Sequence, residues 1–343
     1  MSKERNYKYD LPKLMLYFIF INNSNLVYVS VPPKTTTEST GCKCGVERRS
    51  TDNNFNRIMG GKKIDEKMKY PWLVPLWKRE VGEDGVVQYP GWFGCGGTII
   101  ASNYVVSAAH CVFKNRKPDD DTCIVVKEIK EDELAVHVGD HNIHILGDDE
   151  HEQIVDIARI IKHPDYKEKV NEPCIKRRDF DIMILKLDKL LDLNIFTPAC
   201  LPRPGNDARY NEKVGTAAGW GRLSKFGNRP SEPHEIDLLV KNNCPPAITY
   251  PSIMCYLGKG VVWQGKGQCQ GDSGGPFTYK LNGQHILIGV ISTTYSSNAD
   301  YAIPECGNMG GLCRVSYVRE WIDQTLALTA IFCPNGSDAE GDE

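Results

Sequence analysis

Short apolar runs separated by turn residues dominate the chain from Ile58 onward, and segments 97–100, 104–107, 182–187 and 286–292 read as strands. Long helical periods are absent until the end. There Val318, Trp321, Ile322 and Leu326 recur at spacings of 3, 4 and 8, which predicts one amphipathic helix after Ser316. The pattern is that of an all-β domain closed by a C-terminal helix, with no internal repeat of fixed period. Near the start, residues 14–21 (LMLYFIFI) are apolar and follow Lys3, Arg5, Lys8 and Lys13, the charged region and short apolar core of a secretory signal. Residues 22–25 (NNSN) end that run well short of the roughly 20 apolar residues a bilayer span needs, so no stable membrane insertion is expected. Residues 31–40 are Pro/Thr-rich and read as linker, and the tail after Phe332 is acidic.

Composition narrows the function classes. Hydrophobic residues at 41% and charged residues at 25% exclude a mostly disordered or fibrous chain. The 41 Lys+Arg against 44 Asp+Glu leave a net charge of −3, with no basic excess for a nucleic-acid partner. Thirteen cysteines point to an oxidising, extracellular setting, and their odd number leaves at least one without an internal partner.

Three segments combine polar chemistry with small or apolar neighbours. In GDSGGP (271–276), glycines flanking Ser273 let the loop turn sharply and aim backbone N–H groups at a developing oxyanion. In SAAHC (107–111), small residues seat His110 at a strand end. In DFDIMIL (179–185), a carboxylate opens an apolar strand, with Asp181 the candidate and Asp179 its rival. In the order His, Asp, Ser, with RIMGG, CGGTII and AAGWG between and before them, these segments resemble the signatures of the chymotrypsin/trypsin-like serine endopeptidases over about residues 58–328.

That resemblance implies two packed six-stranded antiparallel β-barrels with a C-terminal α-helix. It divides the chain into a signal peptide (1–30), a propeptide or light chain (31–57), a protease domain (58–328) and a tail (329–343). The implied activity is peptide-bond hydrolysis by a secreted, monomeric enzyme. Its expected partners are a protein or peptide substrate, an activating protease and a protein inhibitor, and no cofactor is required. The implied triad is His110, Asp181 and Ser273, with an oxyanion hole from the N–H groups of Gly271 and Ser273. Cleavage after Arg57 would free the amine of Ile58 to pair with Asp272, so the chain as given is a zymogen. The dibasic Arg48-Arg49 is a second cleavage point, but its product would not begin Ile-x-Gly-Gly. An alternative is a non-catalytic homologue acting as a binding or cascade cofactor.

The family pattern pairs Cys44 with Cys200, Cys95 with Cys111, Cys244 with Cys255 and Cys269 with Cys306. One further family bridge would join the positions of Gly215 and Tyr279, and both cysteines are absent. Among the rest, Cys123 is expected to pair with Cys174 and Cys42 with Cys333, leaving Cys313 a buried free thiol. The implied substrate pocket comprises Gly267, Gln268, Gln270, Ser292, Thr293, Thr294 and Gly311. Gly267 stands where trypsin-like members carry an Asp, and Thr293-Thr294 where they carry Trp and Gly. A small or medium apolar side chain before the scissile bond is therefore expected, although Asp300 or Glu305 could swing in. The histidines His137, His141, His144 and His151 crowd beside acids, but the opposite strand parity of His141 and His144 argues against zinc. Residues 139–155 instead resemble the family's calcium loop, with Asp140 and Glu152 as end ligands and the carbonyls of Asn142 and Ile145 between. A plain acidic loop is the other reading. Asn335 opens a glycosylation sequon in the tail.

Overall fold

A computed structural model describes residues 17–22, 25–30, 43–48, 61–116, 122–167, 172–173, 179–205, 208–224, 227–242, 244, 250–258, 267–295 and 309–326. Arg57, Ile58, Cys42, Cys174, Asp300, Glu305, Cys306, Cys333 and Asn335, named above, lie outside these residues. The chain divides into two compact units, Met1–Thr40 and Gly41–Glu343. Within the first, strands Tyr17–Asn22 and Asn25–Ser30 pair antiparallel. No described helix is long and apolar enough to cross a membrane.

Six strands of the second unit, β1 (Leu73–Val81), β2 (Val87–Ala101), β3 (Tyr104–Ser107), β4 (Leu134–Val138), β5 (Gln153–Lys162) and β6 (Met183–Leu187), close into a barrel. Six more, β7 (Val214–Gly219), β8 (His234–Lys241), β9 (Ile253–Gly258), β10 (Pro276–Leu281), β11 (Gln284–Tyr295) and β12 (Met309–Arg314), close through the β7–β8 pairing, with Lys62–Lys63 added at the edge of β8. Going round the first barrel the order is β1-β2-β3-β6-β5-β4; round the second it is β7-β8-β9-β12-β11-β10. The topology repeats although the sequence shows no repeat, because a barrel needs only apolar side chains on alternate inward positions, whatever their identity. Val74, Leu76, Ile99, Val105, Val136 and Leu185 fill the first interior, and Leu238, Val240, Tyr256, Phe277, Ile288 and Leu312 the second. The helix α1 (Arg319–Leu326) buries Ile322 and Leu326, its period-four pair, and Arg319 Nη1 donates to the Pro202 carbonyl at 2.5 Å.

Bridges Cys44–Cys200, Cys95–Cys111 and Cys244–Cys255 are formed, Cys269 is disulfide-bonded, and Cys313 is a buried free thiol. Burial pushes the Cys313 thiol well up, as do the nearby Asp181 and Asp179 carboxylates, so it stays protonated and inert. Strand Glu172–Pro173 pairs with Thr122–Glu128, Glu172 opposite Cys123. Where the family bridge at Gly215 and Tyr279 is missing, rings fill the space. A Cβ on Gly215 would lie 2.4 Å from the Phe277 ring, and Tyr279 packs on Tyr210 with centroids 5.6 Å apart.

Segment 43–48 is built into the second unit. Gly45 N–H donates to the Pro198 carbonyl and His285 N–H to the Gly45 carbonyl, each at 2.7 Å. At φ 65°, with His285 backbone 2.4 Å from where a Cβ would stand, residue 45 has to be glycine. Glu47 lies 2.6 Å from His285 Nε2 and 2.7 Å from Lys280 Nζ. The His285 hydrogen bond is the largest influence holding its carboxyl down at about 2, against burial. A depressed carboxyl contributes stability above its unfolded value near 4.5 that is lost as pH falls toward 2, so this anchor persists at neutral pH.

Candidate active site

The two barrels each bring one side of the site. Strand β3 ends at Ser107, and the 3₁₀ turn Ala109–Val112 that follows carries His110. Pairing of Met183 with Ser107 sets the start of β6 beside it, so Asp181, two residues earlier, meets the turn. Asp181 holds His110 at two points: Oδ2 lies 2.7 Å from the ring Nδ1, and Oδ1 accepts the His110 backbone N–H at 2.8 Å. Ser292 Oγ, from β11 of the other barrel, donates to Asp181 Oδ2 at 2.5 Å. The carboxylate is fully buried, and three donors compensate its lost hydration.

Asp179, the rival, is turned away. Phe180 takes a positive φ of 51°, which reverses the direction of successive side chains. Asp179 Oδ1 then accepts the Ser252 hydroxyl, while Ser252 Oγ accepts the Phe180 N–H at 2.9 Å. Stacking of Phe180 on His163, with centroids 4.5 Å apart, holds that turn.

Ser273 precedes β10 of the second barrel and is half-buried. Its carbonyl accepts the Gly96 N–H at 2.8 Å, and Gly274 N–H donates to the Ile291 carbonyl at 2.7 Å. Gly274 has φ 79°, and a Cβ there would stand 2.2 Å from Ser107 Oγ and 2.5 Å from the Gly96 carbonyl. Only glycine lets the serine loop press against the end of β3, three residues from His110. Gly271 at φ 114° likewise lies against Trp92, whose Cη2 would be 2.7 Å from a Cβ. Trp92, which no sequence motif singles out, therefore covers the loop beside Ser273, and the Arg229 guanidinium sits 5.0 Å over its ring.

Asp272 points inward. Its Oδ1 accepts the Gly221 N–H and its Oδ2 the Cys269 N–H, both at 2.8 Å, and no described cation pairs with it. Burial pushes this carboxyl up to about 6, against the pull of those two N–H groups. A Cβ on Gly219 or Gly221 would strike it, so the AAGWG glycines make its room. Asp272 shares a cleft with Gly61, Gly219, Gly221, His234 and Gly267.

Part of the expected pocket is described. Gln268 is buried and its Nε2 donates to the Thr293 carbonyl at 2.9 Å, while its Oε1 meets no described donor. Thr293 pairs with Gly311 across β11 and β12, and Ser292 and Thr293 are buried. Gln270 is exposed, and Gly267 faces the Asp272 cleft.

The four crowded histidines do not converge among the described residues: His137 is buried, His144 exposed, and His141 offers its carbonyl to Trp220 Nε1 at 3.1 Å. Asp140 and Glu152, the expected calcium ligands, do come together, but across the His137 ring. Its Nδ1 is 3.0 Å from Asp140 and its Nε2 2.7 Å from Glu152. The Asn142 carbonyl is taken by the Ile145 N–H at 3.0 Å. In the same loop Asp148, Asp149 and Glu152 bring carboxylate oxygens within 4.8 Å of one another, close enough to hold a metal ion.

The trypsin family model matches residues 78–322, which span both barrels and the His110, Asp181 and Ser273 segments. The chain belongs to the trypsin family. It is 28% identical to coagulation factor IX of Oryctolagus cuniculus over 88% of its own length and 96% of that protein. It is 30% identical to serine protease SSP1 of Scolopendra subspinipes, over 81% of this chain and 86% of that one. To cationic trypsin-3 of Rattus norvegicus the identity is 31%, over 80% and 92%. The two closed barrels and the C-terminal helix are the architecture that the family resemblance implied.

Proposed function

We propose that this trypsin-family chain is a secreted serine endopeptidase made as a zymogen. The observation that carries the reading is the two-point hold of Asp181 on His110, set against a serine loop that glycine packs onto the same strand end. In the proposed mechanism Ser273 Oγ attacks the scissile carbonyl and passes its proton to His110 Nε2. Asp181 stays ionised and stabilises the imidazolium, and the N–H groups of Gly271 and Ser273 face the oxyanion. His110 then protonates the leaving amine, and water, deprotonated by the same ring, releases the acyl group.

Activation follows from the Asp272 cleft. A cut after Arg57 makes Ile58 the new terminus, three residues before Gly61, which already lines that cleft. Three extended residues reach about 10 Å, enough to bring the amine toward a carboxylate that lacks a cation. The Cys44–Cys200 bridge would keep the cut segment attached. Arg57-cut protein is expected to run as one species without reductant and as two with it. Release of the segment before reduction would contradict the pairing.

Gly267 and the Gln268 amide leave the described pocket without a fixed charge, which favours small or medium apolar side chains before the scissile bond. Peptidyl nitroanilides ending in Ala, Val or Leu should be cleaved faster than those ending in Arg or Lys. A preference for Arg would overturn this specificity. One observation favours the alternative of a non-catalytic binding homologue: Gln268 spans the pocket to the Thr293 carbonyl. Hydrolysis of any peptide in the series by cut protein, lost in Ser273→Ala, decides between the two.

A further inference from the structure

Two serines of the second barrel reach the short segment that carries Asp181. Ser292, on β11, donates to the end of the Asp181 side chain. Ser252 immediately precedes β9 and is fully buried. Its carbonyl accepts the Arg314 N–H of β12 at 2.7 Å, which roots its backbone in the second barrel. Its hydroxyl turns to the segment leading into β6, where it accepts the Phe180 N–H at 2.9 Å and donates to Asp179 Oδ1.

The backbone that Ser252 grips needs holding. Phe180 has φ 51°, and among the described non-glycine residues with positive φ it is the only aromatic. The left-handed region brings Cβ close to the following carbonyl oxygen, so an unrestrained phenylalanine turns back to negative φ. Neighbouring rings fix its side chain: His163 stacks on it at 4.5 Å with planes 15° apart, and Tyr317 lies 5.9 Å away. Its N–H is held by Ser252 Oγ. Beyond Asp181, Ile182 N–H donates back to the Phe180 carbonyl at 2.7 Å, and the Ile182 carbonyl accepts the His163 N–H at 3.1 Å. Asp181 is thus the middle residue of a three-residue turn. Any rotation at Phe180 passes directly into the direction of the Asp181 side chain.

We infer that Ser252 is a positioning residue for the triad: by holding Phe180 left-handed from the second barrel, it aims Asp181 at His110. Its catalytic consequence rests on the proposed protease activity. Ser273 stands just before β10 of the same barrel, so the barrel that presents the serine also grips the carboxylate that orients His110. Ser292 acts on the tip of the Asp181 side chain, and Ser252 on the backbone from which that side chain springs. The charge of Asp179 is not needed for this, because an amide oxygen in its place accepts the same hydroxyl proton.

The test reads the placement of Asp181 as well as turnover. In the uncut chain the His110 backbone amide, bonded to Asp181 Oδ1 at 2.8 Å, should exchange its hydrogen slowly. Ser252→Ala should quicken that exchange about 10-fold or more while the amides of β4 keep their rates. In Arg57-cut protein Ser252→Ala should lower kcat about 10- to 100-fold with KM within about twofold, the effect of a small misplacement of a catalytic group. Asparagine enters the left-handed region more readily than phenylalanine. Adding Ser252→Ala to Phe180→Asn should therefore lower kcat less than about threefold relative to Phe180→Asn alone, and leave the His110 amide protected. Wild-type exchange at His110 or wild-type kcat in Ser252→Ala overturns the proposal. So does an equal loss in both backgrounds, because Ser252 would then not act through Phe180. Where Ser252→Ala does not fold, Ser252→Cys, whose thiol fills the space but bonds weakly, is read by the same criteria. If cut wild type hydrolyses no peptide, the protease reading fails, and exchange at His110 alone decides the role of Ser252.

Discussion

Asp181→Asn in the Arg57-cut protein should lower kcat for peptide hydrolysis by about 10⁴-fold, with KM nearly unchanged. The reason lies in which oxygen can become nitrogen. Oδ1 accepts the His110 backbone N–H, a donor that cannot reverse, so the amide NH₂ must take the Oδ2 position. There it faces His110 Nδ1 and forces the ring proton to Nε2, removing the lone pair that should accept the Ser273 proton. Ser292 Oγ, now opposite the NH₂, can rotate to accept, so the fold should survive. Steady-state kinetics with a peptidyl nitroanilide and circular dichroism on the same sample check both halves. An Asp181→Asn enzyme within tenfold of wild type would remove Asp181 from the triad. Asp179→Asn should leave kcat near wild type, because its carboxylate faces Ser252.

The second large effect concerns Asp272. With its carboxyl raised to about 6 from an unfolded value near 3.8, its ionisation opposes folding. Between those values the folded state binds more protons than the unfolded one, so this contribution declines as pH rises from about 4 to 6. At neutral pH the uncut chain loses about 3 kcal/mol through it. Pairing with the Ile58 amine should remove that penalty, so cutting should raise the unfolding midpoint at neutral pH and do little below pH about 4. Asp272→Asn should abolish the gain and lower kcat of cut protein about 10²–10³-fold, the cost of losing a buried pair carried into the active conformation. Equal midpoints for cut and uncut wild type at neutral pH would contradict the switch.

Much of this was legible in the sequence because the signals are local. Glycines around Ser273 and an apolar strand after Asp181 are short-range patterns with direct conformational meaning, and the 3-4-8 spacing after Ser316 yields helix Arg319–Leu326. That Asp181 faces His110 while Asp179 faces Ser252 depends on a left-handed residue, Phe180, which no local rule flags for an aromatic. Trp92 covers Gly271 across 179 positions of sequence, a contact set by how two barrels abut. His137 was counted among crowded histidines, yet its meaning depends on strand β4 burying one face. Once that face is inside, a histidine three residues before an acid lies against it, 3.0 Å from its carboxylate.

Ser273 should become a nucleophile when the chain is cut after Arg57. Labelling with a fluorophosphonate, read by peptide mapping, tests it most directly. Modification of Ser273 is expected in cut wild type, far slower labelling in uncut chain, and none in Ser273→Ala. Correctly cut, folded protein that does not react, or that reacts equally after Ser273→Ala, would contradict it.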